Sequence, residues 1–125
     1  MRRLLSKIAA MPRPTRVAMY ALACAILLYM TLAPGRDVPG VEMFWDKSEH
    51  AVAWLVLTVT GLLLSTKRRW PIGAFAFLFG AAIEVAQAVM PLGRDGEWQD
   101  LLSDSIGIGG GYLVWWLLRR LGWAR

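Results

Sequence analysis

Eight polar side chains in this sequence have the types and spacing that a binding or catalytic site would need. They are Asp46, Lys47, His50, Glu84, Gln87, Arg94, Asp100 and Asp104. Asp46 and His50 are four residues apart, as are Asp100 and Asp104, so each pair shares one face of a helix. Lysine and arginine can bind phosphate or carboxylate groups, carboxylates can hold amines and sugar hydroxyls, and histidine exchanges protons near neutral pH.

Among these residues Glu84 is the least favourable to bury, because the sequence around it is apolar. The stretch FGAAIEVAQAVM, residues 79–90, contains one other polar side chain, Gln87, on the same helical face. Counted from Met90, Glu84 lies about 9 Å below the end of its helix. An ionisable group at that depth in a bilayer costs a few kcal/mol or more unless it faces protein, water or a partner. Gly80, one turn earlier, would allow a neighbouring backbone to approach that face.

The elements that must position these residues are apolar helices. Of the 125 residues, 57% are hydrophobic and seven are tryptophan, which is too apolar for a soluble domain of this size. Four apolar runs predict spans at about 16–34, 48–66, 71–90 and 101–120. The second and fourth reach the roughly 20 residues that a span needs only if their polar leading turns are also helical. Residues 1–125 are therefore predicted to form one domain, an all-α membrane protein with a four-transmembrane-helix bundle.

Charge predicts the orientation of this bundle. Basic clusters precede the first span, follow the second and follow the fourth, at positions 2–16, 67–69 and 119–125. Because basic residues mark the cytoplasmic side, both termini are predicted to be cytoplasmic. All nine acidic residues fall in the outer loops, 35–48 and 91–100, or in the outward halves of the helices. The predicted site would therefore face outward.

Other classes of protein fit the sequence less well. A cleaved signal peptide in residues 1–33 is disfavoured because the apolar run is long and TLAPGR is a poor cleavage site. The net charge of +5 does not indicate nucleic-acid binding, since the basic residues flank spans instead of lining one groove. The single cysteine, Cys24, excludes an intramolecular disulfide. One histidine among carboxylates is a weak zinc signal, so no metal or cofactor is predicted.

Three segments resemble the signature segments of the VanZ-like family of small integral membrane proteins. They are DKSEH at 46–50, EVAQ at 84–87, and the spaced residues Arg94, Asp100, Asp104 and Gly107. The resemblance covers about residues 36–111, and Asp104 stands where the family pattern leads us to expect asparagine. It implies a multi-pass protein of the bacterial cytoplasmic (inner) membrane, in a family named for a role in teicoplanin resistance. The motif positions that the resemblance implies, besides position 104, are Asp46, Lys47, His50, Glu84, Gln87, Arg94 and Asp100.

Each of these features also has a purely structural interpretation. Asp46 and His50 could cap and anchor the second helix, and Asp100 could be a charge favoured at a helix N-terminus. Glu84 could be a structural acid bonded to a neighbouring helix. The GIGGG segment, residues 107–111, favours close helix packing over a phosphate cradle because it lies inside a span.

Three functions remain compatible with the sequence. The leading hypothesis is a noncatalytic envelope protein whose outward-facing pocket binds the head group of a lipid or a cell-wall precursor. The second is an intramembrane hydrolase acting on lipid-linked substrates, with Glu84 as the base. In that case His50, with Asp100 or Asp104, would supply the acid or the metal ligands.

The third hypothesis is an accessory subunit of a larger membrane complex. Gly107 and Gly111 would then form the surface that docks a partner membrane subunit. Under all three hypotheses the expected partners include membrane lipids and exclude nucleic acid.

Overall fold

The computed structural model is helical throughout the part of the chain that it describes, residues 2–32, 43–65, 69–89 and 98–122, apart from short turns. Five helices follow one another: α1 (Arg2–Ala10), α2 (Arg13–Leu32), α3 (Met43–Leu64), α4 (Trp70–Val89) and α5 (Trp98–Arg120). α2 to α5 coincide with the four predicted spans to within a few residues. The all-α class is therefore confirmed, and α1 is an additional element that the sequence analysis does not predict.

The polar leading turns of α3 and α5 are helical, as the length of a span requires. α3 has 22 residues and α5 has 23, and at 1.5 Å per residue both exceed the roughly 30 Å of a bilayer core. α3 begins at Met43, so the end of the predicted loop 35–48 is helix instead of loop. The same holds for residues 98–100 at the end of the predicted loop 91–100.

The surface of the described helices is unusually apolar. By length and composition, α4 and α5 could each cross a membrane, and Glu49–Leu64 within α3 is a shorter apolar stretch. On α2, the side chains of Leu22, Tyr29 and Met30 are each more than 60% exposed, and on α4 so is Leu78. Soluble proteins rarely expose so many large apolar side chains together, whereas lipid-facing helices do. The chain is accordingly a membrane protein in character.

α3 is the central helix, with α2, α4 and α5 packed against it. Trp54 of α3 is completely buried, and its indole N–H donates a hydrogen bond of 2.9 Å to the carbonyl oxygen of Ala76 in α4. Leu57, Ala76 and Ile83 complete the core around it. Because the indole donor is paired, the large apolar ring is buried without an unsatisfied polar group.

Glycines let α5 lie directly against α3. A Cβ atom at Gly107 would overlap the carbonyl oxygen of Ala51, and one at Gly111 would lie 2.7 Å from the Cβ atom of Thr58. The prediction that the GIGGG segment is a close-packing surface is therefore confirmed. The surface is covered by α3 of the same chain, however, so Gly107 and Gly111 are buried and a partner subunit would have to dock elsewhere.

Basic residues at one end of the bundle bind backbone carbonyls. Arg16 donates a 2.7 Å hydrogen bond to the carbonyl oxygen of Leu64, at the end of α3 where helix carbonyls lack intrahelical partners. Arg2 donates a 2.9 Å hydrogen bond to the carbonyl oxygen of Gly122, just after α5. We call this the basic end, and its described basic residues are Arg2, Arg3, Lys7, Arg13, Arg16, Arg69, Arg119 and Arg120.

Candidate functional site

His50 lies on α3, two turns after the helix begins, and its side chain is buried. The imidazole stacks on the indole of Trp54, one turn further along, with 5.8 Å between ring centroids and 17° between ring planes. Trp54 is itself fixed by its hydrogen bond to Ala76. The plane of the imidazole is therefore held by a ring that cannot rotate without losing a buried hydrogen bond.

Asp104 of α5 binds one nitrogen of this imidazole. The distance from His50 Nδ1 to Asp104 Oδ1 is 3.0 Å, and Asp104 is only 1% exposed. Gly80 of α4 makes room for this carboxylate, since a Cβ atom there would lie 2.7 Å from Asp104 Oδ2 and 3.1 Å from Trp54 Nε1. The expectation that Gly80 admits a neighbouring backbone is thus corrected: it admits two side chains.

Asp100 lies one turn earlier on α5 and faces the other imidazole nitrogen. Its Oδ2 atom is 4.0 Å from His50 Nε2, and the residue is buried. If Asp104 is ionised it can only accept this hydrogen bond, and His50 then carries a proton on Nδ1. A neutral His50 then offers Nε2 as an acceptor or metal ligand, whereas a protonated His50 offers a donor to each aspartate.

Glu84 approaches the same imidazole from α4. One ligand atom from each of His50, Glu84 and Asp104 can be chosen so that the three lie within 4.8 Å of one another. Four of the eight predicted residues, from three different helices, therefore come together: three carboxylates from α4 and α5 around the imidazole of α3. We call this group, His50, Glu84, Asp100 and Asp104, the histidine–carboxylate cluster.

These donors have the types that a divalent cation would accept, but not the spacing of a tight zinc site. Ligands about 2.1 Å from a tetrahedral zinc ion lie about 3.4 Å from one another. Atoms up to 4.8 Å apart would have to approach one another by about 1.4 Å to bind zinc. At their present spacing they suit a larger ion with oxygen ligands better.

The other predicted site residues are described less completely. Gln87 of α4 is buried, in keeping with its place on the face of Glu84. Asp46 and Lys47 belong to α3, but their side chains lie outside the described part of the structure, as does all of Arg94. Their membership of the site stays a prediction.

Two buried residues beside the cluster are not among the predicted site residues. Trp54 stacks on His50, and a signal for it existed, because it follows His50 by four residues on an apolar helix. Ser103, which lies between Asp100 and Asp104 in the sequence, is also buried, and its hydroxyl donates a 3.1 Å hydrogen bond to the carbonyl oxygen of Gln99. Nothing in its spacing distinguishes Ser103 from a serine in any helix.

The sequence matches one protein family over most of its length. The profile of the VanZ/LLP1 family matches residues 26–119, a range that contains α3, α4, nearly all of α5 and every residue of the histidine–carboxylate cluster. No curated protein and no solved structure matches the chain. The match extends over well more than half of the chain, so this protein belongs to the VanZ/LLP1 family.

Proposed function

We propose that this single-domain VanZ-family protein spans the bacterial inner membrane four times, through α2 to α5, with both termini in the cytoplasm. The support is the segregation of charge: the basic end carries arginines and lysines, while the cluster at the other end carries carboxylates. The exposed apolar side chains between the two ends fit contact with lipid.

Accessibility labelling tests this topology. Cysteines introduced at Val38 and Thr66, in a Cys24→Ala background, should differ in their reaction with an impermeant maleimide on intact cells. Val38→Cys should react and Thr66→Cys should react only after permeabilisation. The reverse pattern would place the histidine–carboxylate cluster on the cytoplasmic side and contradict the orientation.

We further propose that the histidine–carboxylate cluster binds the polar head group of a lipid or a lipid-linked cell-wall precursor at the outer leaflet, and thereby changes susceptibility to teicoplanin-type antibiotics. The observation that carries this proposal is the convergence of three helices on His50, with Asp104 at 3.0 Å and Asp100 at 4.0 Å. Amines and sugar hydroxyls are donors that such carboxylates accept.

A purely structural role is a poor explanation for three buried ionisable groups, His50, Asp100 and Asp104, beside the half-buried Glu84. Apolar residues of similar volume often stabilise a packed core as well as or better than buried ion pairs do. Three carboxylates and one histidine at the contact of three helices therefore cost stability relative to an apolar contact, which is typical of binding sites. Lys47 and Arg94, by their positions in the sequence, would contact phosphate or carboxylate groups of the ligand.

Susceptibility measurements in a sensitive host test the binding proposal. Glu84→Gln keeps hydrogen-bonding capacity but removes the charge, so it should abolish protection against teicoplanin at unchanged protein abundance. Val85→Ile, on the neighbouring exposed position of α4, is the matched control and should retain protection. Native mass spectrometry of the gently extracted protein should show a bound lipid that Glu84→Gln loses. Full protection by a well-folded Glu84→Leu variant would contradict the proposal.

A second function, an intramembrane hydrolase, is favoured by the His50–Asp104 pair. A carboxylate that holds Nδ1 orients the imidazole so that Nε2 can act as a base or bind a metal ion. Purified protein incubated with a labelled lipid-linked precursor, with and without Mn²⁺ or Zn²⁺, would then release a water-soluble product. Binding without release favours the first function, and release that is lost in His50→Gln favours the second.

A further inference from the structure

The short helix α1 has two chemically distinct faces. On a helical wheel four of the five apolar side chains occupy one half of the circumference, namely Leu4, Leu5, Ile8 and Ala9, and only the small Ala10 lies on the other half. The other half is polar and mostly basic, and it contains Arg2, Arg3, Ser6 and Lys7. A helix of nine residues with this division is marginal in water, so it needs a surface to cover its apolar face.

The bundle covers that apolar face only in part. α1 contacts α3, and Leu5 and Ile8 are half-buried, but Leu4 is 56% exposed. None of the nine residues of α1 is fully buried. The apolar half of α1 therefore retains exposed surface directly beside its basic half.

The position of α1 indicates what covers the remaining surface. The hydrogen bond from Arg2 to Gly122 places α1 at the basic end, beside the end of α5. At that end Trp70 is 78% exposed, and the guanidinium of Arg120 lies 4.9 Å from the ring centroid of the half-exposed Trp116. Exposed tryptophans with adjacent cations are typical of the boundary between lipid and water.

We propose that α1 is a surface helix that lies in the head-group region of the inner leaflet and binds anionic lipids. Leu4 enters the boundary of the acyl chains, and Arg3 and Lys7 contact lipid phosphates. Charge complementarity selects this occupant, because the exposed side of α1 is basic and the described residues at this end of the bundle include no acidic side chain. The proposal requires that the bundle lies in a membrane, but it does not depend on what the histidine–carboxylate cluster binds.

Hydrogen exchange of the full chain tests the lipid preference. The protein is placed in nanodiscs of phosphatidylcholine alone or with phosphatidylglycerol, and amide exchange is followed in the peptide that contains α1. Each basic residue near an anionic surface strengthens binding about fivefold, so two residues should raise protection of α1 by roughly 25-fold in the anionic discs. The double variant Arg3→Gln, Lys7→Gln should lose the difference, whereas α4 peptides should be unaffected by lipid charge.

Spin labels on opposite faces test the geometry. In a Cys24→Ala background, a label at Leu4→Cys should be relaxed by oxygen from the bilayer, and one at Ser6→Cys by a water-soluble nickel chelate. Neither variant removes a cation. Equal access of the chelate to both labels, with α1 exchange independent of lipid charge, would overturn the proposal. So would protection that appears only when cytoplasmic extract is added, because that result would assign the surface to a protein partner.

Discussion

The two ends of the bundle handle charged side chains in different ways. At the basic end, Arg16 and Arg2 reach along the surface and donate to backbone carbonyls at helix ends. At the opposite end, His50 and Asp104 are buried between helices and pair with each other. The arginines at the basic end stabilise the ends of helices that are already formed, whereas the pairing of His50 with Asp104 depends on the distance between α3 and α5. Charged side chains at the basic end therefore stabilise helix ends, whereas those at the opposite end form the candidate site.

The largest expected effect lies in the buried pair. Asp104→Ala should lower the free energy of unfolding by about 3 kcal/mol, because it leaves His50 buried without the carboxylate that lies 3.0 Å from Nδ1. Leu102→Ala, at an exposed position of the same helix, is the matched control and should cost about 0.5 kcal/mol or less. Thermal or denaturant unfolding in detergent, followed by tryptophan fluorescence, measures both.

The double variant His50→Ala, Asp104→Ala sharpens this result. Two residues in one hydrogen-bonded pair should be coupled by roughly 0.5 to 3 kcal/mol. The loss in free energy of unfolding should therefore be smaller for the double variant than the summed losses of the two single variants. Additive losses would show that His50 and Asp104 act separately and that the cluster is not one unit.

The next effect concerns the contact that sets the spacing of the cluster. Gly107→Ala should cost about 2 kcal/mol, because the added methyl group meets the backbone of Ala51, which cannot rotate away. Gly109→Ala in the same segment meets nothing within 4 Å and should be neutral or slightly stabilising. Equal stability of the two variants in unfolding experiments would mean that α5 does not depend on close approach to α3.

Smaller effects are expected at the basic end. Arg16→Gln should lower the free energy of unfolding by about 1 kcal/mol, since a charged donor at the C-terminus of α3 is lost. Arg13→Gln, an exposed residue at the start of the same helix α2, is the control and should have little effect. If the charge of Arg16 contributes beyond its hydrogen bond, the difference in free energy of unfolding between the two variants should be smaller at high salt, because salt screens that charge.

The smallest effect is expected for Arg2. Its bond to Gly122 is exposed to solvent, so Arg2→Gln should change the free energy of unfolding by no more than about 0.5 kcal/mol. A loss comparable to that of Asp104→Ala would contradict the distinction between the two ends.

The sequence predicts the helices of the bundle well, because apolar runs and the thickness of a bilayer together limit where spans can begin and end. It does not predict α1, although Leu4 and Ile8 are spaced by one turn, because a nine-residue helix forms only where other elements support it. The four-residue spacing also predicts that His50 shares a helical face with Asp46 and that Asp104 shares one with Asp100. Which nitrogen meets which carboxylate depends on the register of α5 against α3, and that register is set by the Gly107 contact with Ala51. The sequence predicts that these glycines pack closely, but not that Gly107 meets Ala51, because that pairing depends on both helices together.

The stacking of His50 on Trp54 couples the environment of the indole to the state of the imidazole. The indole ring lies 5.8 Å from the imidazole and 6.2 Å from Phe79 and is completely shielded from solvent. Emission from such an indole is blue-shifted, and an adjacent imidazolium quenches it more strongly than a neutral imidazole does. With the other six tryptophans replaced by phenylalanine, the emission of Trp54 should therefore report a change of protonation or occupancy at His50.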